Sequence, residues 1–361
     1  MSDLRVADFD YELPEELIAQ EPPPERGQSR MMVMSRATGE TRDGQFSEFP
    51  ALLNEGDLLV LNDSRVIAAR LYARRTLRRE KEKPTGRIEV LLTEPAGANR
   101  WHALVRPGRK IAIGELLVFS AADGSIALEA EVLERGQFGD RLLEFAPVED
   151  FFGILDRIGH VPLPPYIHRD DVAADHERYQ TVFSRERGSV AAPTAGLHFT
   201  PEKLERIAAR GVEIARVTLH VGLGTFAPLR VEHVDDVRLH RERYSISEEA
   251  ADALNRARAE GRRVVAVGTT VVRTLEAAAS AGGGTIEADF TAHSGDTQIF
   301  ISPGFEFRVV GALLTNFHLP QSSLLMLASA FAGREPVLEA YRHAVVERYR
   351  FFSYGDCMFL A

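Results

Sequence analysis

The stretch RRVVAVGTTVVRTLEAAA, Arg262–Ala279, changes its period halfway along. Val264–Val267 is a continuous apolar run, short enough for a buried strand. Gly268 breaks it, Thr269 and Thr270 stand where a helix needs N-capping side chains, and the remainder reads as helix. A buried strand, a tight turn and a helix in immediate succession form the unit of an α/β sheet with helical crossovers.

Outward from this unit the same grammar recurs. LERIAARG (204–211) carries apolar residues at Leu204, Ile207 and Ala208. Thr200 serves as N-cap, Pro201 as the first helical residue and Gly211 as the stop. The strand VEIARVTLHV (212–221) follows. Ser247 then caps EEAADALNRARAEG, which Gly261 closes, and FRVVGALLTNF (307–317) leads through HLPQSS into LLMLASAFAG (324–333). Upstream, DLLVLND (57–63) reads as another buried strand. No literal repeat occurs.

The texture differs between. From Arg65 to Arg87 there are nine Lys or Arg against two Glu. Short alternating runs follow to about residue 146: RIEVLLTE, RWHALV, LLVFS, SIALEAEVLE and RLLEFA, separated by Gly, Pro, Asn and Asp. That pattern predicts a small antiparallel barrel or sandwich. The expected fold class is therefore α/β: a discontinuous main domain of residues 1–64 and 150–361 with helical crossovers, and an inserted antiparallel β domain at 65–149.

Composition bounds the rest. The 361 residues suit two domains, and 45% hydrophobic content supports a substantial core. The formal net charge of -10 gives no general support for nucleic-acid binding, so any such contact must be a local basic patch. Cys357 is the only cysteine, which excludes an intramolecular disulfide and a cysteine-based zinc site. The opening MSDLRVADFD lacks the apolar run of a secretory signal, and Leu313–Ala332 is interrupted by Asn316, His318, Pro320 and Gln321. A cytoplasmic protein with no membrane contact is expected.

In open α/β sheets ligands bind where strands give way to helices. Three corners have that form: 190–202, 265–274 and 313–325. Helix N-termini there offer free N–H groups to a carboxylate. A fourth segment, VTLHVGLGTFAPLR (217–230), turns on a G-x-G, for which a tight turn is the default. His198, His220 and His318 each fall at such a corner, predicting a shared cleft; none has H-x-H or H-E-x-x-H spacing, so no metal is expected. Thr194, Thr200, Thr269 and Thr270 can each be simple caps, and Asp296 an ordinary Asx turn. The basic run is either a solvated face or a phosphate contact surface.

Several of these segments together resemble one family, the S-adenosylmethionine:tRNA ribosyltransferase-isomerases of queuosine biosynthesis. The matching stretches are DFDYELPEELIAQEP, LLVLNDSRVIAARL, ERYQTVFSRERGSVAAPTAGLHFT, VTLHVGLGTFAPLR, VGTTVVRTLEAA, ALLTNFHLPQSSLLMLASAFAGRE and AYRHAVVERYRFFSYGDCMFL, in order along nearly the whole chain. Residues 281–298 depart from the family's pattern. The resemblance implies an α/β domain with an inserted β-barrel. It implies that S-adenosylmethionine is consumed as a ribosyl donor, with no separate cofactor. The ribosyl unit passes to the aminomethyl group of a 7-deazaguanine at the wobble position of tRNAs for Asp, Asn, His and Tyr. It rearranges to the epoxycyclopentane of epoxyqueuosine, and adenine and methionine leave.

That chemistry needs a base for an acidic C5′ hydrogen beside the sulfonium, and an acid for departing adenine. Imidazoles suit both. The expected assignment gives acid–base work to His198 and His220, and donor orientation to Thr194 and the amides around Gly196. Thr269, His318, Ser323 and Asp296 are placed on the pocket wall. Arg30, Arg65, Arg74, Arg75 and Arg78 are expected to meet tRNA, with Arg26, Arg70 and Arg79 beside them, and Phe199 or Phe226 to stack on the extruded base or, by default, to pack the core. A monomer is expected. Two readings stand from the residues alone: a small-molecule transferase or hydrolase using His and Thr at the strand ends, of which a conventional methyltransferase is a subset, and a non-catalytic RNA-binding protein. A methyltransferase would need a glycine-rich first turn and an acidic residue ending the next strand, and neither stands out.

Overall fold

The computed structural model describes residues 4–75, 86–222, 229–281 and 289–361. The chain forms an antiparallel pair, β1 (Arg30–Met34) and β2 (Thr41–Gln45), then β3 (Leu58–Asn62) and the short β4 (Ser64–Val66). Six strands follow in succession: β5 (Arg70–Arg75), β6 (Ile88–Pro95), β7 (Arg100–Arg106), β8 (Leu116–Ser120), β9 (Ile126–Arg135) and β10 (Asp140–Phe145). Helices α1 (Phe151–Ile158) and α2 (Asp175–Arg178) lead to β11 (Glu186–Ser189). The remainder alternates: α3 (Pro201–Ala208), β12 (Glu213–Leu219), β13 (Glu242–Ile246), α4 (Glu248–Ala259), β14 (Val264–Val267), α5 (Thr269–Ala281), β15 (His293–Thr297) and β16 (Ala312–Asn316). It ends in α6 (Ser323–Ala332), α7 (Arg334–Val346) and β17 (Cys357–Leu360).

The main sheet has nine strands in the order β15-β13-β12-β3-β14-β16-β17-β1-β2. Its centre, β12-β3-β14-β16, is parallel throughout. Every residue of β3, β14 and β16 is buried. Strands covered on both faces have no polar face to show, which is why VVAV and LLVLN read as continuous apolar runs. Alternate residues serve two cores. Leu58, Val60, Val264 and Ala266 join one cluster, and Leu59, Leu61, Val265 and Val267 join another. Each buried Val or Leu contributes about 1.5–3 kcal/mol.

The local signals act as read. The Thr200 hydroxyl accepts from Lys203 N–H at 3.3 Å with Pro201 opening α3, and the Ser247 hydroxyl accepts from Ala250 N–H to open α4. The antiparallel additions β13 and β15 lacked a separable signal, because short strands toward a sheet's edge share their composition with loops, whereas β17 is an apolar, buried strand between β16 and β1.

The six successive strands close into a barrel, β10-β7-β6-β5-β8-β9. Leu71, Val90, Trp101, Phe119 and Phe145 fill it, and Phe151 and Phe152 of α1 pack against Trp101 at one end. The first barrel strand lies inside the basic run. Leu71 and Ala73 point inward while Arg74 is exposed. The barrel is reached through β4 and left through β11, and these two pair in parallel as a separate ribbon. Gly159 lies where the returning chain passes Ala68: a Cβ there would meet the Ala68 carbonyl at 2.2 Å.

Candidate active site

The four parallel strands end along one edge of the sheet. There the chain presents Asn62–Ser64 after β3, His220 and Val221 after β12, Gly268–Thr270 after β14, and Phe317 and His318 after β16. A 3-10 turn, Thr194–His198, follows β11. Part of this edge forms a cleft lined by Pro193, Thr194, Val221, Gly268, Thr269, Thr270, Thr315, His318 and Leu324; His220, next to Val221, is not among the lining residues. All four corner segments meet here, with Thr194, Thr269 and His318 of the expected site residues.

Buried polar side chains tie the strand ends. Asn62, 1% exposed, donates to the Leu219 carbonyl and the Thr270 hydroxyl, and accepts from Leu219 and Ser64 N–H. One amide thereby joins β3, β12 and the start of α5. Beside it Asp63 accepts from the Thr218 hydroxyl at 2.6 Å and lies 3.2 Å from Arg185; burial nevertheless raises its pKa. These residues were not singled out in the sequence. Their signal is a pair of polar residues closing an apolar run, DLLVLND.

The three histidines do not share one hollow. Thr194 lines the cleft, but His198, at the other end of the same turn, faces a second hollow lined by Arg26, Ser29, Arg178 and Tyr354. Its ring packs on Phe46, with centroids 5.3 Å apart. Asn316 Nδ2 donates to the Phe352 carbonyl, so its Oδ1 faces His198 Nε2 at 3.2 Å. His198 Nε2 therefore carries the hydrogen, and Nδ1 accepts from the Ser29 hydroxyl at 2.8 Å. His318 belongs to the opposite face. Its Nε2 meets the Thr315 hydroxyl at 2.8 Å, its N–H donates to Tyr341 and its carbonyl accepts from Tyr11. Thr315 and Asn316 are consecutive on β16, so they point to opposite sides of the sheet and carry the two imidazoles with them.

His220 differs from both. Its Nδ1 is buried and has no hydrogen-bond partner among the described residues. The ring lies over Gly188, where an added Cβ would stand 3.1 Å from it. Burial lowers all three pKa values: to about 4 for His198, about 4 for His220 with Arg243 contributing, and about 3 for His318. All three are neutral near pH 7, so none can supply a proton at the outset, and burial makes each a weaker base than a free imidazole.

Other expected residues lie elsewhere. Gly196 N–H is engaged by the Pro193 carbonyl, and a Cβ at Gly196 would meet Thr181 and Phe183 within 2.8 Å, so this glycine answers to packing. Ser323 lines a neighbouring hollow with Arg273 and Glu242, joined to the cleft by Leu324. Asp296 is exposed on the edge strand β15 beside Arg241, neither on the cleft nor in an Asx turn. Phe199 is fully buried between Phe46 and Phe49, as core. Phe226 and residues 223–228 of the G-x-G segment lie outside the described residues.

The arginines divide likewise. Arg26 donates to the carbonyls of Glu177, Gln180 and Leu197, and Arg30 lies over the Tyr349 ring and donates to Glu347. Arg70 pairs with Glu89 and Arg75 with Glu115. Arg65 is half-buried near Ser184, and Arg74 is exposed. Arg78 and Arg79 lie outside the described residues.

Comparison with known proteins agrees with this architecture. The sequence model of the family described as queuosine biosynthesis protein matches residues 6–360. The chain belongs to that family. A protein of Solibacter usitatus named S-adenosylmethionine:tRNA ribosyltransferase-isomerase is 53% identical, the match covering 99% of this chain and 100% of that one. One of Desulforamulus reducens with the same name is 49% identical over the same shares. The crystal structure of S-adenosylmethionine tRNA ribosyltransferase from Thermotoga maritima is 41% identical, with a TM-score of 0.55, covering 98% of this chain and 100% of that chain.

Proposed function

We infer that this chain transfers the ribosyl unit of S-adenosylmethionine to a 7-aminomethyl-7-deazaguanine in tRNA and isomerises it to epoxyqueuosine, with release of adenine and methionine. The full-length match to two proteins of that name, at 49% and 53% identity, carries the reading. The cleft at the carboxyl edge of the parallel strands supports it, being the place where such a sheet binds a nucleoside.

Within that reading, Thr194, Thr269 and the start of α5 orient the donor, and His318 forms the wall. His220 is the better base because its Nδ1 is unengaged, whereas both nitrogens of His198 are committed. A neutral imidazole cannot begin as the acid. His220 takes the C5′ proton beside the sulfonium and, now charged, returns it to adenine as the glycosidic bond breaks. One group thus serves both steps, with no cofactor beyond the consumed donor. His198 holds the 3-10 turn on β16.

The acceptor base lies in a single-stranded anticodon loop and can be turned out into the cleft. The tRNAs for Asp, Asn, His and Tyr are the proposed acceptors, met by a monomeric cytoplasmic enzyme through Arg65, Arg74 and the adjoining basic segment. Residues 65–149 are proposed to act as one inserted unit within a domain made of 1–64 and 150–361. Among the described residues no helix is long and apolar enough to cross a membrane.

The test is product analysis with S-adenosylmethionine and tRNA carrying the precursor base. Free adenine and methionine are expected in equal amounts. S-adenosylhomocysteine would mean methyl transfer instead. RNA binding without turnover would mean a binding module.

A further inference from the structure

The hollow beyond Leu324 has chemistry of its own. It is lined by Arg273, Glu242 and His240 and by Leu239, Phe300 and Leu327, and Ser323 and Leu324 bring the first turn of α6 to it. Arg273 is 4% exposed in the second turn of α5. Its Nη1 donates to Glu242 and its Nε to the Ile299 carbonyl at 3.3 Å, but its Nη2 is buried with no hydrogen-bond partner among the described residues. A buried guanidinium N–H without an acceptor is rare, because its lost hydration is not replaced. Glu242 also accepts from Gly222 N–H at 3.1 Å. The ten-residue helix α6 is capped by the Ser322 hydroxyl on Leu325 N–H, and its positive end favours an anion in the same hollow.

The Arg273–Glu242 pair carries no net charge. A lone phosphate would gain from Arg273 and be repelled by Glu242. A zwitterion, with one charge of each sign, complements both. The apolar walls suit the methylenes between such a head group and a sulfur.

We propose that this hollow is the amino-acid subsite of the donor cleft, where Arg273 Nη2 and the first turn of α6 hold the α-carboxylate of the donor's methionyl end. Glu242 supplies the charge opposite the α-ammonium, and Phe300 and Leu327 flank the chain leading to the sulfonium. The assignment rests on the donor reading above and extends it to a second hollow, contiguous with the cleft through Leu324.

The test is calorimetric titration of the full-length protein with S-adenosylmethionine and with its decarboxylated analogue. Wild type is expected to bind the analogue roughly tenfold to a hundredfold more weakly, the value of a charged hydrogen bond. The paired substitution Glu242→Gln with Arg273→Gln, which leaves no buried charge unmatched, is expected to close that gap and leave tRNA affinity unchanged. Arg273→Lys, which keeps the ion pair, is expected to narrow it. Equal binding of both ligands to wild type overturns the subsite without touching the donor reading. A gap that persists in the paired variant overturns the role of Arg273, as does a fall in tRNA affinity alone, which would mark a phosphate contact. Failure of wild type to bind either ligand overturns the donor reading and the subsite with it.

Discussion

At the scale of single residues, the three imidazoles separate by what their nitrogens already hold. His198 joins Ser29 to Asn316, so His198→Ala leaves two buried polar groups unpaired in a cavity. A loss of about 2–4 kcal/mol is expected in urea denaturation. His220→Gln removes a half-buried ring with a free Nδ1, and stability within about 1 kcal/mol of wild type is expected. His318 has the most strongly depressed pKa of the three. Its folded pKa is depressed to about 3 from 6.5, so between those values the unfolded chain binds the proton that the folded chain refuses. Stability conferred by neutral His318 is complete above about pH 6.5 and is lost as pH falls toward 3. The stability gap between wild type and His318→Gln should therefore shift against wild type by roughly 1.4 kcal/mol per pH unit below about pH 6. A gap constant from pH 7 to 4.5 in denaturation series would show that His318 is not held neutral.

At the scale of elements, the edge of the sheet depends on contacts that no single strand encodes. Gly188 on β11 has φ of +141° and its missing Cβ leaves room for the His220 ring. Gly188→Ala strains the backbone and displaces the imidazole. Turnover of S-adenosylmethionine is expected to fall about tenfold or more, while donor affinity by calorimetry changes little. This dependence explains what was legible. Val264–Val267 and Leu58–Asn62 announced buried strands by apolar continuity, and Thr200, Ser247 and Gly261 announced helix ends by local chemistry. The corners carrying Thr194, Thr269 and His318 followed from where strands end. What could not be read was the face of the sheet on which each side chain falls. His198 and His318 stand at equivalent corners, yet the alternation of Thr315 and Asn316 sends them to opposite sides. Arg273 and Glu242 were hidden for a similar reason: they are 31 residues apart, and only pairing of β13 beside β12 brings them together.

At the scale of the whole molecule, a net charge of -10 must coexist with an RNA substrate. In the described part of the basic run Arg70 and Arg75 are spent on Glu89 and Glu115 and Arg87 lies over the Tyr72 ring, which leaves the half-buried Arg65 beside Ser184 and the exposed Arg74 for RNA. Reversing both to Glu is expected to weaken tRNA binding and to reduce the slope of log affinity against log salt by roughly 0.7–0.9 for each phosphate that is no longer neutralised. An unchanged slope would place the RNA on another surface. The central claim is that the edge cleft holds a sulfonium nucleoside beside one proton-handling imidazole. Its most direct measurement is adenine release from S-adenosylmethionine at saturating precursor tRNA, by wild type and by folded His220→Gln. Adenine from wild type with a loss of roughly a hundredfold or more in the variant is expected; undiminished release by His220→Gln would contradict it.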